Sequence, residues 1–266
     1  MNNTLIFASE KEVRFGKLLK FIIPTYLTSL FNTVYTIIDG IFVSAYVGTN
    51  ALVAINIVYP IVNVLFGIAL AFAAGGSAVV ALHIGGGKKD AASRAFSASV
   101  IASMLVGGLV ALGVLLNLSG ILTLLGATPL TMRDCKIYAL WWLWGTPLMI
   151  GKELFPYFIR VDGSPTYSFA TALSGGVLNI VMDYVLVGRM QMGIRGAALA
   201  TIMGLALSTC MGIYYFLRKN KTFSFTLRGL SVKESLYCLV NGGSEFINQL
   251  AVAITTIVFN RTALAF

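Results

Sequence analysis

Six stretches of about 20 or more apolar residues follow one another along the chain, and a seventh opens near its end. Runs of that length match the roughly 30 Å of bilayer hydrocarbon at 1.5 Å of rise per residue. Lipid offers no water to satisfy backbone N–H and C=O groups, so such runs must fold as helices. They cover residues 17–46, 52–84, 95–116, 137–159, 166–187 and 196–217, with the seventh starting near 236. Only 11% of residues are charged, against about a quarter in soluble domains. Helices that are apolar all round leave no face for water. The fold class is therefore an all-α polytopic membrane protein.

The formal net charge of +9 invites a nucleic-acid reading, but no basic stripe stands on a soluble domain. The excess follows the positive-inside bias of membrane loops instead. A leader at 1–16 and the first turn of the first stretch carry Lys11, Arg14, Lys17 and Lys20, which predicts a cytoplasmic N-terminus. Placing that leader, the turns near 88–94 and 160, and the stretch 218–233 inside puts 13 of the 19 Lys and Arg there and four outside. That ratio supports six spans in a multi-pass protein of the plasma membrane. The leader shows no cleavage site of the A-x-A kind, so the first span is expected to stay in place. Cys135, Cys210 and Cys238 form no CxxC pair and read as small packing residues.

The turns carry their own signals. G-G-G-K-K-D-A-A-S-R at 85–94 is basic and flexible. It is not a phosphate loop: Leu82 stands where the first glycine is needed and Lys89 where Ser or Thr is needed. R-V-D-G-S-P at 160–165 is a Gly/Pro break. The outer stretch 117–132 contains an apolar piece at 121–125 suited to the interface, and the longest polar stretch, 218–235, reads as a cytoplasmic linker.

Chemistry is concentrated in ionisable residues inside the spans: Asp39, Lys152, Glu153, Asp183 and Glu245. An Asp near the bilayer centre costs about 3 kcal/mol, so each is a functional candidate. Asn179 and Asp183 are spaced i, i+4 and share one face of the fifth span. If Asp39 faces them, two acids share one apolar cavity, and burial and like charge oppose ionising both at once. Such a pair suits a proton. The same groups with a hydroxyl such as Thr201 also suit Na⁺, and spacing does not choose between the two. The plainer alternative is a structural role for both acids. Pro24, early in the first span, removes a backbone donor and predicts a bend. Lys152 and Glu153 lie toward the inner end of the fourth span, where snorkelling toward the surface accounts for both.

Several motifs resemble the MATE family, the multidrug and toxic compound extrusion transporters. They are I-P-x(6)-F-N-x-x-Y-x-I-I-D-G-I-F-V-S from Ile23, I-G-G-G-x-x-D-A-A from Ile84, F-I-R-V-D-G-S-P from Phe158, L-N-I-V-M-D from Leu178 and G-I-R-G-A-A-L-A-T from Gly193. The resemblance implies twelve helices in two six-helix lobes around a cavity. It also implies export of cationic or amphipathic organic compounds in exchange for H⁺ or Na⁺, with no cofactor and no enzyme activity. By resemblance Asp39, Asn179, Asp183 and Thr201 form the ion-coupling site of the N-lobe, and Pro24 is the bend that it controls. Tyr138 and Glu153 fall at cavity-lining positions, although the family more often carries an amide at the latter. Glu245 joins them as a lining candidate from its place in the seventh span.

The resemblance divides the chain into a leader at 1–16, a six-helix N-lobe at 17–217, a linker at 218–235 and the start of a second lobe at 236–266. S-L-Y-C-L-V-N-G-G, from Ser235, echoes L-L-K-F-I-I-P, from Leu18, as the opening of a second repeat would. The chain is thus expected to be a fragment with a truncated seventh helix, or to pair with a second chain or with itself to supply the missing C-lobe. Its partners are expected to be small organic cations or drugs and the lipid bilayer, and its one metal, if any, Na⁺ at the coupling site. The alternatives are a related lipid-linked oligosaccharide flippase, which a row of cavity Arg and Lys would favour, and a non-transporting membrane fragment.

Overall fold

In the computed structural model residues 15–218 and 221–263 are described, and all their regular elements are helical. The leader charges Lys11 and Arg14, Lys219 of the linker and the last three residues lie outside the described residues. The helices are α1 (Phe15–Tyr46), α2 (Thr49–Gly85), α3 (Lys89–Leu116), α4 (Leu118–Leu124), α5 (Met132–Trp144), α6 (Thr146–Val161), α7 (Pro165–Met182), α8 (Ile194–Leu217), α9 (Val232–Asn241) and α10 (Gly243–Ala263). A π-helical turn, Asp183–Arg189, extends α7.

Each expected break has a local cause. The turn after α2 closes on Gly87 at φ 73°, with the Lys88 amide donating to the His83 carbonyl at 2.8 Å. It is shorter than the sequence suggests. α3 starts at Lys89, because Asp90 in its first turn complements the positive end of the helix. Between α6 and α7, Gly163 takes φ 87° and Pro165 fills the first helical position. The expected outer apolar piece is α4.

Among the described residues, five helices are long and apolar enough to cross a bilayer by themselves: α1, α2, α3, α7 with its π-turn, and α8. The fourth expected span is the kinked pair α5–α6, of 13 and 16 residues. End to end these reach about 44 Å at 1.5 Å per residue, enough to cross. The kink falls at Gly145, where Pro147 has no N–H to continue the ladder. The seventh stretch is likewise split, at Gly242, and its helix begins at Val232 rather than at 236.

α2 is the centre of the packing, touching α3, α5, α6, α9 and α10. α6 lies between α2 and α8, α7 pairs with α8, and α1 rests mainly on α7 and the π-turn. Small residues set these distances. A Cβ on Gly204 would stand 2.6 Å from the Gly175 carbonyl oxygen, so α7 and α8 meet backbone to backbone. Gly176 takes the ring of Phe31, which seats α1 on α7.

The stretch after α8 is a docked strap rather than a loose linker. The buried Asp162 carboxylate accepts from the Tyr215 hydroxyl at 2.7 Å and the Thr222 amide at 2.9 Å, and lies 3.8 Å from the Lys221 ammonium. That ammonium also sits 3.1 Å from the centre of the Tyr215 ring. Burial lowers the proton affinity of Lys221 below the ordinary lysine value, while Asp162 pulls the other way. Phe223, 2% exposed, inserts among Phe96, Phe158 and Phe216. Backbone amides of Ser224 and Thr226 donate to Ser93 and Ser97 of α3 at 3.1 and 2.8 Å. The strap thus satisfies its own backbone on the ends of α3, α6 and α8.

Candidate functional site

α1 and the end of α7 bring the two intramembrane aspartates together. The carboxyl groups of Asp39 and Asp183 lie within direct interaction range of each other. Asp183 is fully buried and stands at the junction of α7 and the π-turn, where its amide still donates to the Asn179 carbonyl. A π-turn widens the helix by one residue and commonly marks a functional position. Neither oxygen of Asp183, one oxygen of Asp39, and neither end of the Asn179 amide has a hydrogen-bond partner. Most buried polar groups in folded proteins are paired, and each orphan costs about 1–3 kcal/mol. Here the orphans gather at one place, and most are acceptors.

Asn179 and Thr201 line a narrow cleft of about 20 Å³, the room of one water. Its walls are the faces Ala172, Gly175, Gly176 and Asn179 on α7 and Thr201, Gly204, Leu205 and Ser208 on α8. The Thr201 hydroxyl donates to the Ala197 carbonyl at 3.0 Å, which leaves its oxygen free to accept. Tyr35 of α1 and Lys152 of α6 complete the lining.

The position of Lys152 departs from the snorkelling expectation. Its side chain is 13% exposed and Glu153 15%, and the ammonium bonds Glu153 Oε1 at 2.5 Å inside the protein. The helix turns Lys152 inward, where its side chain forms part of the cleft wall and its ammonium pairs with Glu153. Tyr138 is 2% exposed and packs edge-on to Trp142 with ring centres 6.3 Å apart. Tyr138 and Tyr59 both lie within electrostatic reach of Asp39. Glu245, on the first turn of α10, stands away from the aspartates and shares the surroundings of Tyr157 with Glu153. Pro24 lies within α1, where the Thr28 hydroxyl donates to its carbonyl at 2.8 Å.

Sequence reasoning missed Tyr35, Tyr59 and the π-turn. Tyr59 had a signal, a hydroxylated ring beside Pro60 in the middle of a span. The π-turn had none that periodicity alone would reveal.

The MatE family profile matches residues 24–185, from Pro24 to Val185, a range that includes both Asp39 and Asp183. The chain belongs to the MatE family. Over 264 residues it is 27% identical to the multidrug export protein MepA of Staphylococcus saprophyticus, covering 98% of this chain and 58% of that one. A solved structure described as MATE in the straight conformation superposes with a TM-score of 0.83 at 23% identity, covering 93% of this chain and 56% of that chain. One described as MATE in the bent conformation superposes with a TM-score of 0.80 at 24% identity. The chain therefore has the MatE fold in the membrane and spans a little over half the length of these relatives.

Proposed function

We propose that this chain is the ion-coupling lobe of a multidrug exporter of the MatE family. The cargo is a cationic or amphipathic organic compound, exchanged for an inward-moving cation. The observation that carries the reading is the cluster of unpartnered acceptors on Asp39, Asp183 and Asn179. A proton or a small cation is what such acceptors lack. With one proton between them, the two carboxyls become donor and acceptor to each other. The names of the relatives, a multidrug export protein and MATE, support the same reading.

In the proposed cycle Asp39, Asn179, Asp183 and Thr201 take up the cation. Loading changes how the lower half of α1 seats on α7, with Pro24 as the place where α1 bends. Tyr138, Glu153 and Glu245 line the path of the cargo. The division into an N-lobe at 17–217, a linker at 218–235 and the start of a second lobe at 236–266 belongs to this proposal. So do the plasma membrane and the cytoplasmic N-terminus. The opposing lobe needed for alternating access comes from the same gene product, a second chain or another copy. Because coupling is reciprocal, cargo binding must also favour release of the ion.

The test is ethidium efflux from vesicles holding the transporter with both lobes present. Asp39→Asn is expected to abolish the ion-driven component, and unchanged efflux would remove Asp39 from the cycle.

A further inference from the structure

We propose that the groove between α3 and α9 binds one anionic phospholipid: an acyl chain fills the groove and the phosphate meets Arg94, Arg228 and Lys233. The groove shares no lining residue with the cleft beside Asn179, and the proposal does not depend on ion coupling. Its volume is about 400 Å³, within the range of about 300–1,000 Å³ that takes small organic ligands. It follows α3 from Ala98 to Val106, about 12 Å at 1.5 Å of rise per residue, and residues between Leu230 and Leu239 form the facing wall. Of its lining only Ser231 and Ser235 carry polar side chains. Leu105 and Leu236, on its two walls, are 61% and 57% exposed, so the groove opens along the outside of the bundle. α3 is one of the helices long and apolar enough to cross the bilayer, and a groove along it runs with the lipid tails.

Charge decides the occupant. Arg94 stands one helical turn before Ala98, at the end of the groove where α3 begins. Its side chain lies on the strap at Gly229, where a Cβ would stand 2.9 Å from Arg94 Cδ. Gly229 precedes Leu230 of the groove wall, Arg228 precedes Gly229, and Lys233 follows Val232 on the first turn of α9. Among the described residues the ion pairs are Lys152–Glu153 and Lys221–Asp162, so Asp90 and Glu234 neutralise none of the three cations at this rim. α9 also begins here, and Ser231 gives its first-turn amides no side-chain cap, which favours an anion. The strap repeats the pattern. Phe225, Leu227 and Val232 are 50%, 69% and 85% exposed and are interleaved with the exposed Arg228 and Lys233. At a bilayer surface such apolar side chains enter the hydrocarbon boundary while the cations stay among phosphates. A zwitterionic headgroup balances its own phosphate, whereas an anionic one leaves net charge for the three cations, about fivefold in affinity for each.

The experiment titrates the purified 266-residue chain, in a non-ionic detergent, with phosphatidylglycerol or with phosphatidylcholine of matched tails. Binding is read by native mass spectrometry and by thermal stabilisation. The wild-type chain is expected to retain one phosphatidylglycerol in preference to phosphatidylcholine. Glycerophosphoglycerol, the same headgroup without tails, should not displace it. Arg94→Gln, Arg228→Gln and Lys233→Gln together should weaken phosphatidylglycerol about 100-fold and abolish the preference. Should that variant not fold, Lys233→Gln alone is expected to weaken it about fivefold. Ala102→Phe fills the groove with its cations intact and should exclude both lipids, and Ser235→Phe does the same from the facing wall should Ala102→Phe not fold. Equal retention of the two lipids, displacement by the tail-less headgroup, an unchanged preference in a folded charge variant or unchanged binding in a folded groove-filling variant would each overturn the proposal. A dimer that sheds the lipid would give the groove to a second copy and overturn it as well.

Discussion

α1 and α2 are both long, apolar helices with a proline inside, of 32 and 37 residues, yet they meet different surroundings. In its most apolar stretch only 6% of α1 is buried inside the protein, against 67% of α2. α2 is apolar because protein surrounds it. Its small residues let backbones touch: a Cβ on Gly75 would run into the Cys238 carbonyl of α9, and one on Gly242 into the Ala71 carbonyl of α2. Most of the apolar stretch of α1 lies on the outside of the bundle. It is held along one seam, by Phe31 on Gly176 and by the buried Val43. The acid sits on the loosely held helix, and the rigid helix carries none. A helix with few neighbours can change shape without disturbing the core, which suits α1 to respond to the charge state of Asp39.

Four substitutions probe that contrast. The largest effect is expected at the α2 contacts. Gly242→Ala forces backbone against backbone and should cost about 3 kcal/mol or prevent folding, read from denaturant or thermal unfolding in detergent. A neutral result would show that α9 and α10 do not rest on α2 as described. Next comes the strap that leads into α9. Asp162→Ala removes the acceptor for Tyr215 and Thr222 and the partner of Lys221, at about 2 kcal/mol. It should also open the strap to trypsin at Lys221, and unchanged protection would refute the docked strap.

On α1 the effects on stability shrink while those on response grow. Pro24→Ala should leave stability within about 1 kcal/mol, because that part of α1 has few contacts to lose. A fluorophore on Tyr26→Cys is expected to report an acid-induced movement in the parent chain and none in the Pro24→Ala variant. A movement equal to the parent's would exclude Pro24 as the bend. The smallest effect is expected at Gly40, where an added Cβ meets nothing within 4 Å. Gly40→Ala should be neutral or stabilise by up to about 1 kcal/mol, the helix-propensity gain. A loss of several kcal/mol would mean that α1 is packed after all.

Much of the fold was legible because each span announces itself by length and hydropathy, and each turn by Gly, Pro or a basic cluster. The pairing of Asn179 with Asp183 was legible from i, i+4 spacing on one helix. The meeting of Asp39 with Asp183 was legible only as a conditional, since no local rule aligns two helices separated by more than a hundred residues. Lys152 was misread for a related reason. Its sequence position suits snorkelling, and only the rotation of α6 between α2 and α8 turns it inward. The strap was hidden because Asp162 looks like an ordinary turn residue until Tyr215 and the Thr222 amide are found around it.

By itself the sequence determined that this chain is a bundle of membrane helices, where they begin and end within a few residues, and which residues carry charge into the apolar interior. Those properties follow from the cost of leaving water, and hydropathy measures that cost directly. Tertiary structure decided which apolar faces are buried against protein and which stay on the outside of the bundle, that Asp39 meets Asp183, and that Lys152 is turned inward. Lipid and protein interior are almost equally apolar, so transfer from water cannot tell them apart. Shape does, through the glycines that let α2 and α7 approach their neighbours.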